Sequence, residues 1–197
     1  MIKLENATFS YNGDIAPIKN FSMELNNGVY AITGDSGCGK STLLKGIAGL
    51  IRPVSGIVHN DLRCSYVFQE NRLIMSLSAE ANIHLVCNSK ERIEFILSQI
   101  GLSDCSKRPV CELSGGQQRR VAIARSLCYD ADYVILDEPF EGLDKELKNK
   151  ISELIKDKYS LIIVSSHDKS DFTKFTHDEH YTEINISNGL FNIITHK

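Results

Sequence analysis

A glycine-rich segment with the pattern G-x-x-x-x-G-K-S lies near the start of the chain and comprises Gly34, Asp35, Ser36, Gly37, Cys38, Gly39, Lys40 and Ser41. Glycines at this spacing let backbone N–H groups converge on phosphate oxygens, and the helix that follows adds its dipole. We therefore predict a nucleoside triphosphate site. In it, Lys40 reaches the β- and γ-phosphates, Ser41 binds magnesium and Thr42 contacts the α-phosphate. The pattern leaves open whether Cys38 is a passive loop residue or a regulatory thiol.

Two adjacent carboxylates, Asp137 and Glu138, follow an apolar run at 133–136. A buried parallel strand presents the residues at its end to the carboxyl edge of the sheet, beside the phosphate loop. From there Asp137 can hold magnesium, directly or through water, and Glu138 can polarise the attacking water as a general base. The pair predicts hydrolysis of the bound nucleotide.

A third motif lies between these two sites and consists of Leu113, Ser114, Gly115, Gly116 and Gln117. A serine and glycine amides at the amino end of a helix form a second anion site. With all three motifs in this order, the chain closely resembles the ABC ATPase family. In that family the third motif, the signature, faces the nucleotide of the other subunit. The resemblance thus implies that two chains sandwich two ATP molecules head to tail.

The resemblance extends over nearly the whole chain and implies roles for further residues. It implies that Tyr11 stacks on adenine and that Gln69 senses magnesium and the γ-phosphate. It also implies that the His167 imidazole donates to the γ-phosphate and that Asp144, in the D-loop, crosses to the partner subunit. Gly142 departs from the alanine more usual in that loop. The implied catalytic set is Glu138, His167 and Gln69, and the implied magnesium ligands are Ser41, Gln69 and Asp137.

Strand patterns with turn signals occupy the first third of the chain. Runs at 2–9, 21–25 and 29–33, separated by turns at Asn12-Gly13 and at 26–28, predict an antiparallel edge sheet. A helix is expected from Ser41, after the phosphate loop, because apolar residues then recur at spacings of three and four.

The remainder of the chain predicts the other parts of the fold. Residues from about 70 to 130 are almost entirely helix-like and predict an inserted lobe. Strands alternate with an amphipathic helix over 133–165, which favours a parallel sheet with crossover helices, and 181–194 predict a hairpin. We expect an α/β fold in a single domain, 1–197: a P-loop NTPase core with a parallel sheet, an antiparallel β edge subdomain and an inserted α-helical lobe.

The composition of the chain limits the classes of partner that we expect. Lysine and arginine number 22 against 25 aspartates and glutamates, so no basic field for nucleic acid is expected. Cysteines at no zinc-ligand spacing indicate free thiols in a reducing cytoplasm. No apolar run approaches the roughly 18 residues that span a bilayer, and the first residues lack a signal-peptide pattern. We expect a cytoplasmic chain that reaches the membrane's cytoplasmic face through a permease partner.

Two functions remain from the sequence. The first is the ATP-binding and ATP-hydrolysing subunit of a membrane transporter with separate transmembrane chains, paired with a second ATPase subunit. The alternative is a soluble ABC-type ATPase of an assembly or repair machine, although the chain between Ser41 and Leu113 is too short for the coiled coils of repair members. The lobe side chains Leu73, Ile74, Met75 and Leu77 either receive the permease or pack the lobe. The transported substrate, its direction and the identity of both partners stay open.

Overall fold

The computed structural model describes residues 1–10, 16–176, 178, 180–187 and 189–196. Its main sheet has six strands, in the spatial order β5 (Cys64–Val67), β6 (Tyr133–Asp137), β7 (Leu161–Ser165), β3 (Gly28–Gly34), β8 (Tyr181–Ser187) and β9 (Leu190–His196). Neighbours from β5 to β8 pair in parallel, and β9 pairs antiparallel with β8. Every residue of β6 and β7 is buried, as expected for central strands that are covered on both faces.

A smaller antiparallel sheet contains three strands, in the order β2 (Ile18–Leu25), β1 (Ile2–Phe9) and β4 (Ser55–His59). The predicted edge sheet therefore forms, but the assignment of residues 29–33 to it is wrong. These residues belong to β3 of the main sheet, and Tyr30, Ala31 and Ile32 are buried in succession rather than in alternation. The turn at 26–28 connects the two sheets instead of closing a hairpin, and Asn12-Gly13 lies outside the described residues.

The described helices are α1 (Lys40–Ile47), α2 (Ala79–His84), α3 (Lys90–Gln99), α4 (Gly115–Cys128), α5 (Lys145–Lys158) and α6 (Ser170–Thr173). The helix after the phosphate loop and the amphipathic helix between the strands form as predicted, whereas α6 was not predicted. The lobe becomes helical only at Ala79, so the helix-like assignment of 70–78 is wrong. The buried Asn82 amide holds this segment as a loop, because it accepts from Ile74 N at 2.8 Å and donates to the carbonyls of Ile74 and Ser78 at 3.0 Å each. These local hydrogen bonds replace helical ones.

Two buried clusters fill the two faces of the main sheet. On one face, Val134 and Leu136 of β6 pack with apolar residues of the lobe and of α5. On the other, Ile135 of β6 and Ile163 of β7 pack with α1 and the smaller sheet. Successive side chains of β6 point to opposite faces of the sheet, so this one strand packs against both the lobe and α1.

A close contact between α1 and β1 gives a test of this packing. A Cβ atom on Gly46 would lie 2.4 Å from Cζ of Phe9, which is fully buried. We expect Gly46→Ala to lower the free energy of unfolding by about 1–3 kcal/mol, since the added methyl overpacks this contact. Urea unfolding followed by circular dichroism would measure the change.

The helical Gly115 supplies a control, because a Cβ atom there has open space. Gly115→Ala should leave stability unchanged or raise it by up to about 1 kcal/mol through helix propensity. Phe9→Leu should relieve part of the Gly46→Ala loss in the double variant. Equal stability of Gly46→Ala and the wild type would contradict the packing argument.

Candidate functional site

The loop between β3 and α1 approaches β8 so closely that its first residue must be glycine. Gly34 has φ +139°, and a Cβ atom there would lie 2.3 Å from the carbonyl oxygen of Ile186 in β8. The loop then turns tightly, with Cys38 N donating to Asp35 O at 3.2 Å. Gly39 ends it with φ +112° as the N-cap residue of α1. The local conformation matches the glycine spacing read from the sequence.

The Lys40 side chain folds back over this loop. It is buried, and its Nζ donates to Gly34 O at 2.8 Å and to Asp35 O at 3.1 Å. Ser41 and Thr42 follow in the first turn of α1. The ammonium group therefore lies at the mouth of the loop, where an anion bound by the backbone N–H groups would meet it.

A cavity of about 230 Å³ unites residues from four separate segments of the chain. It is lined by Ser36, Gly37, Gly39, Lys40, Ser41, Thr42, Gln69, Glu138 and His167. A neighbouring cavity of about 100 Å³ joins Ser41 and Gln69 to Asp137. The predicted phosphate, catalytic and magnesium residues thus meet at one edge of the sheet. Gly34 lies at the base of the loop, and Asp35 and Cys38 line an adjoining groove of about 920 Å³ that shares Ser36 and Gly37 with the first cavity.

The Asp137 carboxylate ends β6 and is held from two sides. Ser165 Oγ, at the end of β7, donates to Oδ1 at 2.7 Å, and the Tyr66 hydroxyl of β5 donates to Oδ2 at 3.3 Å. The aspartate itself is buried. A fixed carboxylate beside the Ser41 hydroxyl and the Gln69 amide is an oxygen-donor set that suits magnesium, which binds proteins through few ligands plus substrate phosphates.

Glu138 has an unusual backbone conformation with φ +48°. Its N–H donates to both the carbonyl oxygen and Oγ of Ser165 at 3.1 Å, which fixes this strained residue against β7. Its carboxylate is half-buried, and Oε1 lies 3.0 Å from Nε2 of His167. The predicted base and the predicted switch histidine are therefore in direct contact at the cavity wall.

The segment that carries His167 is anchored through its neighbour. Ser166 Oγ donates to Oδ2 of the buried Asp171 at 2.8 Å. The other oxygen of Asp171 pairs with Lys148 of α5 at 3.4 Å and with Lys174 at 3.2 Å. This network holds the backbone that precedes the histidine, while the imidazole itself stays largely exposed toward the cavity.

The signature residues lie outside the cavity. Ser114 is the N-cap of α4 and forms a capping box with Gln117: Gln117 N donates to Ser114 Oγ at 3.3 Å, and Ser114 N donates to Gln117 Oε1 at 2.9 Å. Ser114 and Gly115 are exposed, Gly116 is partly exposed, and Leu113 is buried in the core. The helix end thus presents a serine and free amides to the outside of this chain.

The D-loop is also exposed and lies beside the signature. Asp144 caps α5 by accepting from Leu147 N at 2.9 Å. Gly142 has φ +74°, a conformation that alanine adopts only with strain, which accounts for glycine at this position. Tyr11, the predicted adenine-stacking residue, lies outside the described residues.

Three site residues were not predicted from the sequence. Tyr66 and Ser165 orient Asp137, and Arg119 of α4 donates to backbone carbonyls around the site. The sequence does contain a hydroxyl at the end of the apolar run of β7 and an arginine beside the apolar stripe of α4. Their hydrogen-bond acceptors lie far away in the chain, so local patterns do not identify the roles of these residues.

Comparison with known proteins identifies the family of this chain. The sequence profile described as ABC transporter matches residues 18–141. The chain belongs to this family. The family resemblance and the P-loop NTPase fold with its edge sheet and lobe are confirmed.

Similar ABC family members include two import proteins. Over 183 residues the chain is 36% identical to the sulfate/thiosulfate import ATP-binding protein CysA of Synechocystis sp., covering 81% of this chain and 52% of CysA. Over 175 residues it is 38% identical to the thiamine import ATP-binding protein ThiQ of Yersinia pseudotuberculosis, covering 79% of this chain and 73% of ThiQ. The chain thus spans about half the length of CysA and about three quarters of ThiQ.

Solved structures of another family member share the whole fold. The dimeric bacterial ABC transporter cassette MJ0796 aligns with a TM-score of 0.86 and 29% identity, over 99% of this chain and 98% of that one. The dimer of the same cassette in a post-hydrolysis state, bound to ADP and Pi, aligns with a TM-score of 0.84 and 28% identity. Nucleotide binding is therefore supported for this ABC cassette by family and by fold.

Proposed function

We propose that this ABC cassette binds and hydrolyses ATP as the energising subunit of a membrane transporter whose transmembrane chains are separate polypeptides. The observation that carries the proposal is the single cavity in which Lys40, Gln69, Glu138 and His167 meet. In it a phosphate-binding loop, a carboxylate base and an imidazole donor surround one small volume. That arrangement suits attack of water on a terminal phosphate.

The chain's own groups divide the work in this proposal. The backbone N–H groups of the loop and the Lys40 ammonium bind the phosphates and offset their charge. Glu138 takes a proton from the attacking water, and its contact with His167 orients both side chains toward the γ-phosphate. The side chains of Ser41, Gln69 and Asp137 would hold magnesium. That ion, when bound, would neutralise charge on the transferred phosphoryl group.

A second subunit completes the proposed site. The exposed amides and hydroxyl at the start of α4 form an anion-binding helix end that does not reach the cavity of its own chain. The dimeric cassette structures with which this chain aligns support a pair in which Ser114 to Gln117 and Asp144 face the partner's nucleotide. ATP would then close the pair, and hydrolysis would open it.

A permease partner is supported by surface chemistry and by the relatives. A groove of about 410 Å³ lies between α1, β5 and α4, and its lining includes Leu50, Phe68 and Val86. Ile74 and Met75 are also exposed, at 46% and 45%, whereas Leu73 packs against the lobe core. Ile74 and Met75 are not part of the groove lining, so the proposal rests on the groove itself, where the exposed Leu50 and Val86 offer a contact for a short apolar segment of the permease.

The proposal assigns the membrane-spanning part to another chain. Among the described residues no helix has the length and apolarity needed to cross a bilayer, and the longest, α4 and α5, have 14 residues each. CysA and ThiQ are named as import ATP-binding proteins, which supports import, and the proposal puts the chain on the cytoplasmic face of the membrane.

Replacing the proposed base tests the hydrolysis. We expect Glu138→Gln to lower kcat by about 10²–10⁴-fold, because the amide cannot take a proton from water, while ATP still binds. Phosphate release measures the loss, and size-exclusion chromatography with light scattering should reveal an ATP-dependent dimer that the wild type does not accumulate. Unimpaired turnover by this variant would show that Glu138 is not the base.

Replacing the signature serine tests the second wall of the site. Ser114→Arg should leave ATP binding to the monomer within about twofold but abolish ATP-dependent dimerisation and turnover, since a bulky cation blocks the anion site. Ser89→Arg is the matched control, because Ser89 also caps a lobe helix, accepting from Arg92 N at 3.2 Å. Both variants lose a cap worth about 1 kcal/mol, but only the first should lose turnover. Normal hydrolysis by Ser114→Arg would refute the shared site.

Charged substitutions in the groove test the permease contact. Leu50→Glu and Val86→Glu should abolish co-sedimentation with membranes that contain the permease chains, because the carboxylate must be desolvated on docking. Phe95→Glu, at another exposed apolar side chain on α3, should sediment like the wild type. ATP affinity of each isolated variant checks that it is folded. Co-sedimentation of all three variants would place the contact elsewhere.

A further inference from the structure

The guanidinium of Arg119 joins the two catalytic segments of the site through their backbones. It is 4% exposed and lies in α4, five residues after the signature serine. We propose that Arg119 is a positioning residue that holds the carbonyls around Glu138 and Gln69 in register, and so ties the geometry of hydrolysis to the signature helix. The inference rests on the proposed ATP hydrolysis and adds a residue that no family motif described above assigns to it.

The donors of Arg119 point toward two separate strand ends. On the β6 side, Nε donates to Pro139 O at 2.9 Å, and Nη2 donates to Asp137 O at 2.9 Å and Glu138 O at 2.7 Å. On the β5 side, Nη1 donates to Phe68 O, and to Gln69 O at 3.3 Å. It also donates to the Asn71 side chain at 3.3 Å. One planar cation thus bridges the backbones that carry the predicted base and the predicted magnesium-sensing glutamine.

The charges and burial around Arg119 favour a hydrogen-bonded guanidinium at this place. Burial lowers the pKa of Arg119, and the charges of Asp137, Glu141 and Glu138 oppose that shift. A buried cation is costly unless hydrogen bonds satisfy it, and here backbone carbonyls supply them. The guanidinium therefore depends on both strand ends staying where they are, and they in turn depend on the guanidinium.

Glu138 has particular need of such support. Its positive φ persists only where the surroundings over-determine the backbone. Ser165 fixes its N–H, and Arg119 fixes its carbonyl and those of both neighbours. Without the arginine, one side of this strained peptide loses its hydrogen bonds, and the carboxylate beyond it is free to shift.

The helix that carries Arg119 is itself rigid at both ends. The Ser114–Gln117 capping box closes its amino end. At its carboxyl end, Leu127 O accepts from Arg92 Nη2 at 3.1 Å and from Lys158 Nζ at 2.6 Å. A displacement of the signature by a partner's nucleotide would thus carry Arg119 with it. In the proposed dimer, one helix would touch the partner's ATP and hold the base for its own.

A lysine at position 119 separates charge from geometry. Lysine keeps a cation at this buried position, but a single nitrogen cannot span two strand ends as the five-donor fork does. We expect Arg119→Lys to lower kcat about 100-fold through misplacement of Glu138 and Gln69, with the dissociation constant for ATP changed by less than about twofold. Arg119→Gln, which removes the buried charge, should show the same split between kcat and binding.

Arg120 provides the matched control. It follows on the same helix, and its Nη1 donates to the carbonyls of Ile100 at 2.8 Å and Gly101 at 3.0 Å, both in the lobe. Arg120→Lys should lower the Tm less than Arg119→Lys does, because Arg120 is only partly buried and donates to two carbonyls, and it should keep kcat near the wild-type value. Phosphate release, ATP titration and thermal unfolding of all four proteins give the comparison.

The outcomes separate this inference from the proposed function. Equal losses of kcat in Arg119→Lys and Arg120→Lys, or failure of both Arg119 variants to fold, would make the arginine a general structural residue and overturn the inference. Absence of hydrolysis in the wild type would instead overturn the proposed function. In that case a crystal structure of Arg119→Lys still decides: displaced Gln69 and Glu138 carbonyls support the inference, and unmoved ones refute it.

Discussion

The parallel pairing of β6 with β7 sets Asp137 opposite Ser165, and the pairing of β7 with β3 sets Ser165 opposite Ile32, two residues before Gly34. Backbone hydrogen bonds hold this register, and a shift of one residue would turn every side chain to the other face. The phosphate loop, the Asp137 carboxylate that we propose as a magnesium ligand and the strained glutamate are then neighbours because three strands end together. The position of the cavity therefore depends first on the register of the sheet and only then on the conformation of the loops.

The strain at Glu138 has a cost and a benefit in this setting. A non-glycine residue at positive φ costs on the order of 1–3 kcal/mol. The hydrogen bonds from Ser165 and Arg119 offset that cost, and the sharp turn it produces swings the Glu138 carboxylate out of the buried strand line. Asp137 stays inward and fixed while Glu138 reaches His167, so adjacent carboxylates acquire different environments.

The sequence predicted the parts of the site that are continuous in the chain. The loop from Gly34 to Ser41, the carboxylates after β6 and the signature each contain the groups for their proposed chemistry within a few residues, and local spacing is enough to recognise them. The meeting of Ser165 with Asp137 and of Arg119 with Phe68 spans 28 and 51 residues. Such contacts depend on strand order and register, which hydrophobic periodicity does not specify.

The errors in the predicted fold have the same origin. Residues 29–33 follow two antiparallel strands and a turn, so the sequence favours the edge sheet for them, but burial on both faces places them in the parallel sheet. The short β4, which completes the edge sheet, shows little apolar pattern of its own: four of its five residues are exposed. Its place is set by pairing with β1, a constraint that only the folded chain reveals.

Tyr66 gives the fold one further consequence. Its ring stacks on Phe68 at 4.1 Å and lines the groove between α1 and α4, while its hydroxyl reaches the Asp137 carboxylate. A single rigid side chain therefore spans the distance from the outer surface to the buried carboxylate. A permease segment docked in the groove, as proposed above, would contact the ring directly. Any movement of the ring would then change the length of the hydrogen bond from its hydroxyl to the Asp137 carboxylate. Between the proposed permease contact and the proposed magnesium ligand there would then be only the length of one tyrosine side chain.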